Sequence, residues 1–240
     1  MIDKSILTSV IAKYNLAHRN ESVKWRINDK QLTVYFGTVG QVGKVVMKDF
    51  DFEDSELAIF NTSQLSKLLS ITQGNLLFTT EKQNKIYTKL FIADSNFELT
   101  YSLADVMMIP KIQYYKDADS YEVELELDKE EIANLIRAKN ALLESESMLI
   151  TTTEDLDGEP IVEFIFGDNT GFSNKITYQL RGKIDKQNIE LPFNAILFRD
   201  ILKVNSDADS AKLKLNQNGL LKLEFENKNT ESEYFIARNE

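Results

Sequence analysis

The sequence predicts an α+β protein of two similar domains, each with two helices packed on antiparallel sheets. Three observations predict it. Glu56-Leu57-Ala58-Ile59-Phe60-Asn61 followed by Leu65, Leu68 and Leu69 is echoed by Glu190-Leu191-Pro192-Phe193-Asn194 followed by Phe198, Ile201 and Leu202. In both copies a strand-like apolar run meets an Asn able to cap an amphipathic helix. An earlier pair agrees: Leu7, Val10 and Ile11 match Ile132, Leu135 and Ile136, with Glu21-Ser22-Val23 and Glu146-Ser147-Met148 at equal spacing beyond them. The 240 residues, 42% of them hydrophobic, also suffice for two domains of about 120 residues with real cores.

The elements follow in order. Residues 3–15 carry an apolar stripe of Leu7, Val10, Ile11 and Tyr14 at helical spacing. Strands are expected at Val23–Ile27, Leu32–Phe36, Val45–Phe50 and Leu57–Phe60, with Asn28-Asp29-Lys30 as a tight hairpin turn. A helix from Thr62 to about Ile71 precedes strands at Leu76–Thr80, Ile86–Ile92 and Phe97–Leu103. Regular patterning lapses over 105–120, where Pro110 and a polar end predict an extended connector between domains at 1–104 and 121–240. The second half opens with an alternating strand, Tyr121–Leu127, and Asp128 caps a helix to about Leu143. Strands at Leu149–Thr153, Ile161–Phe166, Ile176–Leu180 and Ile189–Leu191 lead to a helix from Asn194 to about Val204. Leu213–Leu215, Leu220–Phe225 and Tyr234–Ile236 complete it, with a turn at Gln217-Asn218-Gly219.

Composition excludes several classes of chemistry. Without cysteine there is no disulfide, thiolate metal site or cysteine nucleophile. The single histidine, His18, follows a helix beside Arg19 with no evident acyl-transfer constellation and reads as a solvated side chain. Gly37, Gly40 and Gly43 lack the Lys-Ser/Thr ending of a phosphate loop and read as a strand connection. Asp49, Asp51, Glu53 and Asp54 alternate with Phe50 and Phe52, which places the carboxylates on the solvent face of a strand rather than around a metal. Asp207 and Asp209, like Asp155, Asp157 and Glu159, belong to turns. No catalytic residue, metal or cofactor is expected. Nor is a membrane span or signal peptide, so the expected location is the cytoplasm, or the host's cytoplasm for a viral chain.

The net charge of −10 argues against a nucleic-acid partner unless the basic residues gather on one surface. The helices offer that surface. Their apolar stripes face a core, while Lys67, Arg137, Arg199 and Lys203 point the other way and Lys4 and Lys13 flank the first stripe; Lys139 falls nearer the third helix's core side. Such side chains, with Ser and Asn between them, suit sequence-independent phosphate contacts. Ordinary solvated helix faces are the alternative.

Together, the two halves, the connector, the acidic total and the basic helix faces resemble the DNA sliding clamps. The likeness is nearest to the clamps of T-even bacteriophages, and more distant to proliferating cell nuclear antigen. Carrying it are Phe52-Glu53-Asp54-Ser55-Glu56-Leu57-Ala58-Ile59-Phe60, Asp128-Lys129-Glu130-Glu131-Ile132-Ala133-Asn134-Leu135-Ile136-Arg137 and Tyr234-Phe235-Ile236-Ala237. The resemblance implies a non-enzymatic ring subunit, a homotrimer around duplex DNA, that tethers a replicative DNA polymerase and is opened by an ATP-dependent loader. Lys4, Lys13, Lys67, Arg137, Lys139, Arg199 and Lys203 would face DNA. A pocket for partner peptides would involve Val39, Val42, Ile109, Ile112, Tyr114, Phe235 and Ala237. Ring edges are expected at Phe97–Leu103 and Leu220–Phe225. A viral structural or assembly protein, or a carbohydrate-active enzyme, are the competing readings.

Overall fold

The computed structural model describes residues 1–112, 117–167 and 174–239. Tyr114 lies outside the described residues. The chain divides into two compact units: Met1–Thr38, Val42–Tyr114 and Lys228–Ser232 form the first, and Val39–Gln41, Tyr115–Asn227 and Glu233–Glu240 the second. Each unit thus takes a short piece from the other end of the chain, and the connector residues 105–120 are shared between them.

In the first unit the elements run β1 (Ile2–Asp3), α1 (Lys4–Asn15), β2 (Val23–Asn28), β3 (Gln31–Thr38), β4 (Gln41–Met47), β5 (Ser55–Ile59), α2 (Thr62–Ser70), β6 (Asn75–Gln83), β7 (Ile86–Ala93) and β8 (Glu98–Ser102). They make a sheet of order β1-β6-β7-β8 and a run β4-β3-β2-β5. The β2–β3 hairpin has the expected turn: Asp29 and Lys30 are both left-handed (φ 48° and 60°) between the paired Asn28 and Gln31, the two-residue geometry that matches strand twist. Strict alternation then sends Val23, Trp25 and Ile27 of β2 and Leu32, Val34 and Phe36 of β3 into the core.

The expected strand through Asp49–Asp54 is corrected. β4 ends at Met47, and residues 48–54 form a loop in which Asp49 is left-handed (φ 57°). The cause is Phe50, which turns inward to pack edge-on against Trp25 and Phe78, with centroids 6.2 and 6.0 Å away. The carboxylates do stay outside, but as loop partners: Asp51 pairs with the N-terminal ammonium at 2.9 Å, and Asp54 accepts the Asp29 N–H at 3.0 Å.

The second unit comprises β9 (Val123–Leu127), α3 (Lys129–Ala141), β10 (Ser147–Glu154), β11 (Pro160–Gly167), β12 (Lys175–Leu180), β13 (Lys183–Ile184), β14 (Glu190–Asn194), α4 (Ala195–Val204), β15 (Ser210–Asn216), β16 (Leu220–Glu226) and β17 (Thr230–Ala237), whose first three residues count with the first unit. Its sheets are ordered β12-β11-β10-β14 and β13-β9-β15-β16-β17. β16 therefore lies between β15 and β17, so the expected edge at Leu220–Phe225 is corrected. The edge at β8 agrees with the sheet order. Gly219 closes the β15–β16 turn at φ 94°, where a Cβ would also meet the Arg238 side chain at 2.4 Å.

The repeated strand–cap–helix unit is present twice. Asn61 Oδ1 accepts the Gln64 N–H and Asn194 Oδ1 accepts the Leu197 N–H, both at 2.8 Å. Each satisfies one of the unpaired donors at a helix start. Asp3 and Asp128 cap the other two helices, Asp128 through a reciprocal box with Glu131. Within each unit the helices pack as pairs, α1 with α2 and α3 with α4.

Candidate nucleic-acid interface and docking surface

Three of the expected phosphate-contacting cations stand exposed on helix faces: Lys67 on α2, Arg137 on α3 and Lys203 on α4. Arg199 is half-buried and bound to the buried Asp200, Nη2 to Oδ1 at 2.5 Å, so its charge is partly cancelled by its own neighbour. Lys4 is also half-buried and donates to the carbonyls of Ser70, at 3.3 Å, and Thr72, just past the end of α2. A cation there complements the negative end of the helix dipole.

Two expectations are corrected. Lys13 is buried and donates to Thr230 Oγ1 at 3.0 Å. Lys139 is buried and donates to the carbonyls of Leu142 at 2.8 Å and Leu143 at 3.2 Å, closing the end of α3. Burial, with Arg199 nearby, holds the Lys139 ammonium below the usual lysine range. Neither side chain reaches solvent. The reason is a compromise between charge and stem: both positions fall on the apolar stripe, where the methylenes pack and the ammonium must find oxygen acceptors inside. The solvent side of α1 is consequently neutral, carrying Ser5 and Ala12.

His18 is less isolated than its sequence neighbourhood implies. Leu16, Ala17 and His18 are three successive left-handed residues (φ 46°, 54°, 70°), held in place by the fully buried Leu16. This tight reversal brings His18 Nδ1 to 2.5 Å from Ser63 Oγ and 3.2 Å from Glu21 Oε1. Both partners meet the same ring nitrogen, whereas a proton relay needs nucleophile and acid on opposite ones. The cluster instead braces the start of α2, where Glu21 Oε2 accepts the Ser63 N–H at 2.8 Å. Burial pushes the Glu21 carboxyl up, but the hydrogen bonds from Ser63 and His18 outweigh it and hold the group below the usual range.

The expected docking residues divide. Val39 is fully exposed at the β3–β4 turn, and Ala237 is half-buried, its N–H on Gly40 O at 2.9 Å. Val42 and Phe235 are interior residues, which corrects their assignment to an open pocket. Ile109 and Ile112 line a cavity of 280 Å³. Its other walls come from Val23, Lys24, Arg26 and Tyr35 of β2 and β3, which the sequence does not single out. Strand alternation gives the face of those residues, but only folding brings the connector over it.

No family model matches the chain, and no curated protein matches it either. Solved structures do. The chain is similar to the proliferating cellular nuclear antigen of Entamoeba histolytica, at 14% identity and a TM-score of 0.76, over 99% of this chain and 96% of that one. It is likewise similar to a structure of the PCNA2–PCNA3 complex of Sulfolobus tokodaii, at 11% identity and a TM-score of 0.75, over 100% and 98%. This chain, then, carries the fold of the proliferating cell nuclear antigens, with four α-helices and antiparallel sheets among the described residues.

Proposed function

We propose that this chain is the subunit of a DNA sliding clamp of the T-even bacteriophage type, closing as a homotrimer around duplex DNA in the cytoplasm of a host cell. The observation that carries the reading is the full-length likeness to the nuclear antigens in a chain whose sheet order leaves β8 and β12 at sheet ends. Five- and six-residue edges with unsatisfied backbone groups invite strand pairing. Joining one to the other between neighbouring copies is a head-to-tail contact, the kind that generates a ring when its rotation closes. Lys67, Arg137 and Lys203, supplemented by Lys4 and Arg199, would make the weak phosphate contacts. A replicative polymerase would be tethered through a peptide segment, and an ATP-driven loader would open the ring. The reading assigns the chain no reaction.

Light scattering over a dilution series is expected to give the mass of three chains, and loaded protein is expected to remain on circular DNA while running off linear DNA. A monomer at every concentration, or equal retention on both DNAs, would overturn the proposal. A second expectation concerns charge. Reversing all three exposed cations (K67E, R137E, K203E) leaves the mass unchanged but lowers loading on circular DNA by about tenfold at low salt, because each lost cation removes a phosphate contact and its counterion release. Loading at the wild-type level would remove these helices from the DNA surface.

A further inference from the structure

Sulfur is unevenly placed in this protein. Of the five methionines, Met47 and Met148 are core residues, 2% and 1% exposed, whereas the adjacent Met107 and Met108 are 88% and 76% exposed. A loose segment does not account for them. Both belong to a 3₁₀ turn, Val106–Met108, in which the Asp105 carboxylate accepts the Met107 N–H at 2.8 Å and the Asp105 carbonyl accepts that of Met108 at 2.9 Å. Before the turn Ala104 donates its N–H to the Ala58 carbonyl of β5 at 3.1 Å, and after it Ile109 is buried. The backbone is therefore held at both ends, with Val106 half-buried and the two thioethers left in solvent. Nothing else in the chain competes strongly for an oxidant. There is no cysteine to react first, and the single tryptophan, Trp25, is fully buried. Exposed thioethers are then the most readily oxidised groups.

We propose that Met107 and Met108 form a reversible oxidation site for a hydroperoxide, at which an apolar surface turn becomes polar while the fold is kept. With hydrogen peroxide, a sulfur lone pair attacks one peroxide oxygen and the O–O bond breaks. The departing hydroxide takes the proton from the oxygen now on sulfur and leaves as water. Sulfur is oxidised by two electrons and the peroxide is reduced by two. In the reverse direction a sulfoxide reductase draws on two thiols, the sulfoxide oxygen leaves as water and the thiols join as a disulfide. The chain has no cysteine, so that reductant is external. The core methionines cannot serve in this way, because a polar sulfoxide at Met47 or Met148 would disrupt close packing. Neither a ring nor DNA enters this chemistry, so it stands or falls apart from the clamp reading.

The test treats the full chain with limiting hydrogen peroxide and follows each methionine by peptide mapping and mass spectrometry. Met1, 74% exposed at the terminus, is the uncovered reference. Met107 and Met108 are expected to gain one oxygen each within about threefold of the Met1 rate and at least about tenfold faster than Met47 and Met148, and all five rates converge in urea. The oxidised protein is expected to keep its circular dichroism and to elute earlier from a phenyl resin. Its first retention returns after treatment with the two sulfoxide reductases, one for each sulfur epimer, and dithiothreitol. Peroxide shifts the retention of the double variant Met107→Leu, Met108→Leu much less, since Met1 alone remains exposed to it. Oxidation of Met107 and Met108 as slow as that of the core pair would show the turn covered in solution and overturn the proposal. Unfolding on their oxidation, sulfoxides that the reductases leave in place, or an equal retention shift in the double variant would overturn it too.

Discussion

Replacing Trp25 by alanine is expected to destabilise the protein by about 4 kcal/mol, read as a fall in the urea midpoint followed by far-ultraviolet circular dichroism. Trp25 is the only tryptophan, so its own fluorescence cannot report on the variant. The magnitude follows from its setting. The indole is fully buried on β2, meets Phe50 edge-on at 6.2 Å, and donates from Nε1 to the Tyr14 hydroxyl of α1 at 3.2 Å. Truncation therefore opens a cavity and removes the donor facing a buried phenol, whose ionisation burial already pushes well above the usual tyrosine range. It also takes away the surface that draws Phe50 inward and shapes the 48–54 loop. Trp25→Phe refills part of the volume but not the N–H, and is expected to cost about half as much. A loss below about 1 kcal/mol for Trp25→Ala would mean that the neighbours collapse into the space, contrary to a tightly packed core.

Lys222→Met is expected to cost about 3 kcal/mol at neutral pH, with most of the loss recovered in acid. The Lys222 side chain is 5% exposed on β16, and its Nζ lies 2.7 Å from Asp117, 2.9 Å from Glu224 and 2.7 Å from Glu233. Burial disfavours the Lys222 ammonium, yet the three carboxylates outweigh that and raise it above the usual lysine range. Burial likewise pushes the Asp117 and Glu224 carboxyls up, and hydrogen bonds from the lysines pull both below their usual range. The signs fix the window. The raised lysine contributes stability below its unfolded value that is lost as pH climbs through the folded one. The depressed carboxylates contribute above their unfolded values and lose it as pH falls through the folded ones. The wild-type advantage is therefore greatest between those ranges, begins to shrink as pH falls through the unfolded carboxylate values of about 4, and is lost once the depressed wild-type carboxylates are protonated as well. Because the carboxylates retain some exposure, the lower end of the range for a broken buried pair applies. A difference that stays constant from pH 7 to about pH 3 would refute the ionic account.

What could be read in advance depended on how local its cause was. The helices and three of their caps were legible because an Asn or Asp three residues before its backbone donor is a contact within one turn: Asn61, Asn194 and Asp128 all cap as their sequence positions imply. The hairpin at Asp29-Lys30 was legible for the same reason. The doubled unit needed only two segments to be compared. By contrast, Phe50 looked like the end of a strand because the aromatic cluster that claims it comes from β2 and β6, distant in sequence. β16 looked like an edge because strand order across a sheet is a property of pairing, and no single strand encodes it.

The same division runs through the candidate sites. The amino-acid order by itself determined the α+β class, the twofold repetition, the acidic total and the helix positions at which basic residues fall, all set by periodicity and composition. Tertiary structure decided which of those cations face solvent. Lys67, Arg137 and Lys203 do, whereas Lys13 and Lys139 turn their ammonium groups onto Thr230 and onto the Leu142 and Leu143 carbonyls just past the end of α3. It also drew His18 onto Ser63 across 45 residues of chain, and set Lys24 and Lys111 around one cavity. The physical reason is range: capping and amphipathic spacing act within a few residues, while burial, ion pairing and cavity walls depend on segments that meet only after the chain has folded.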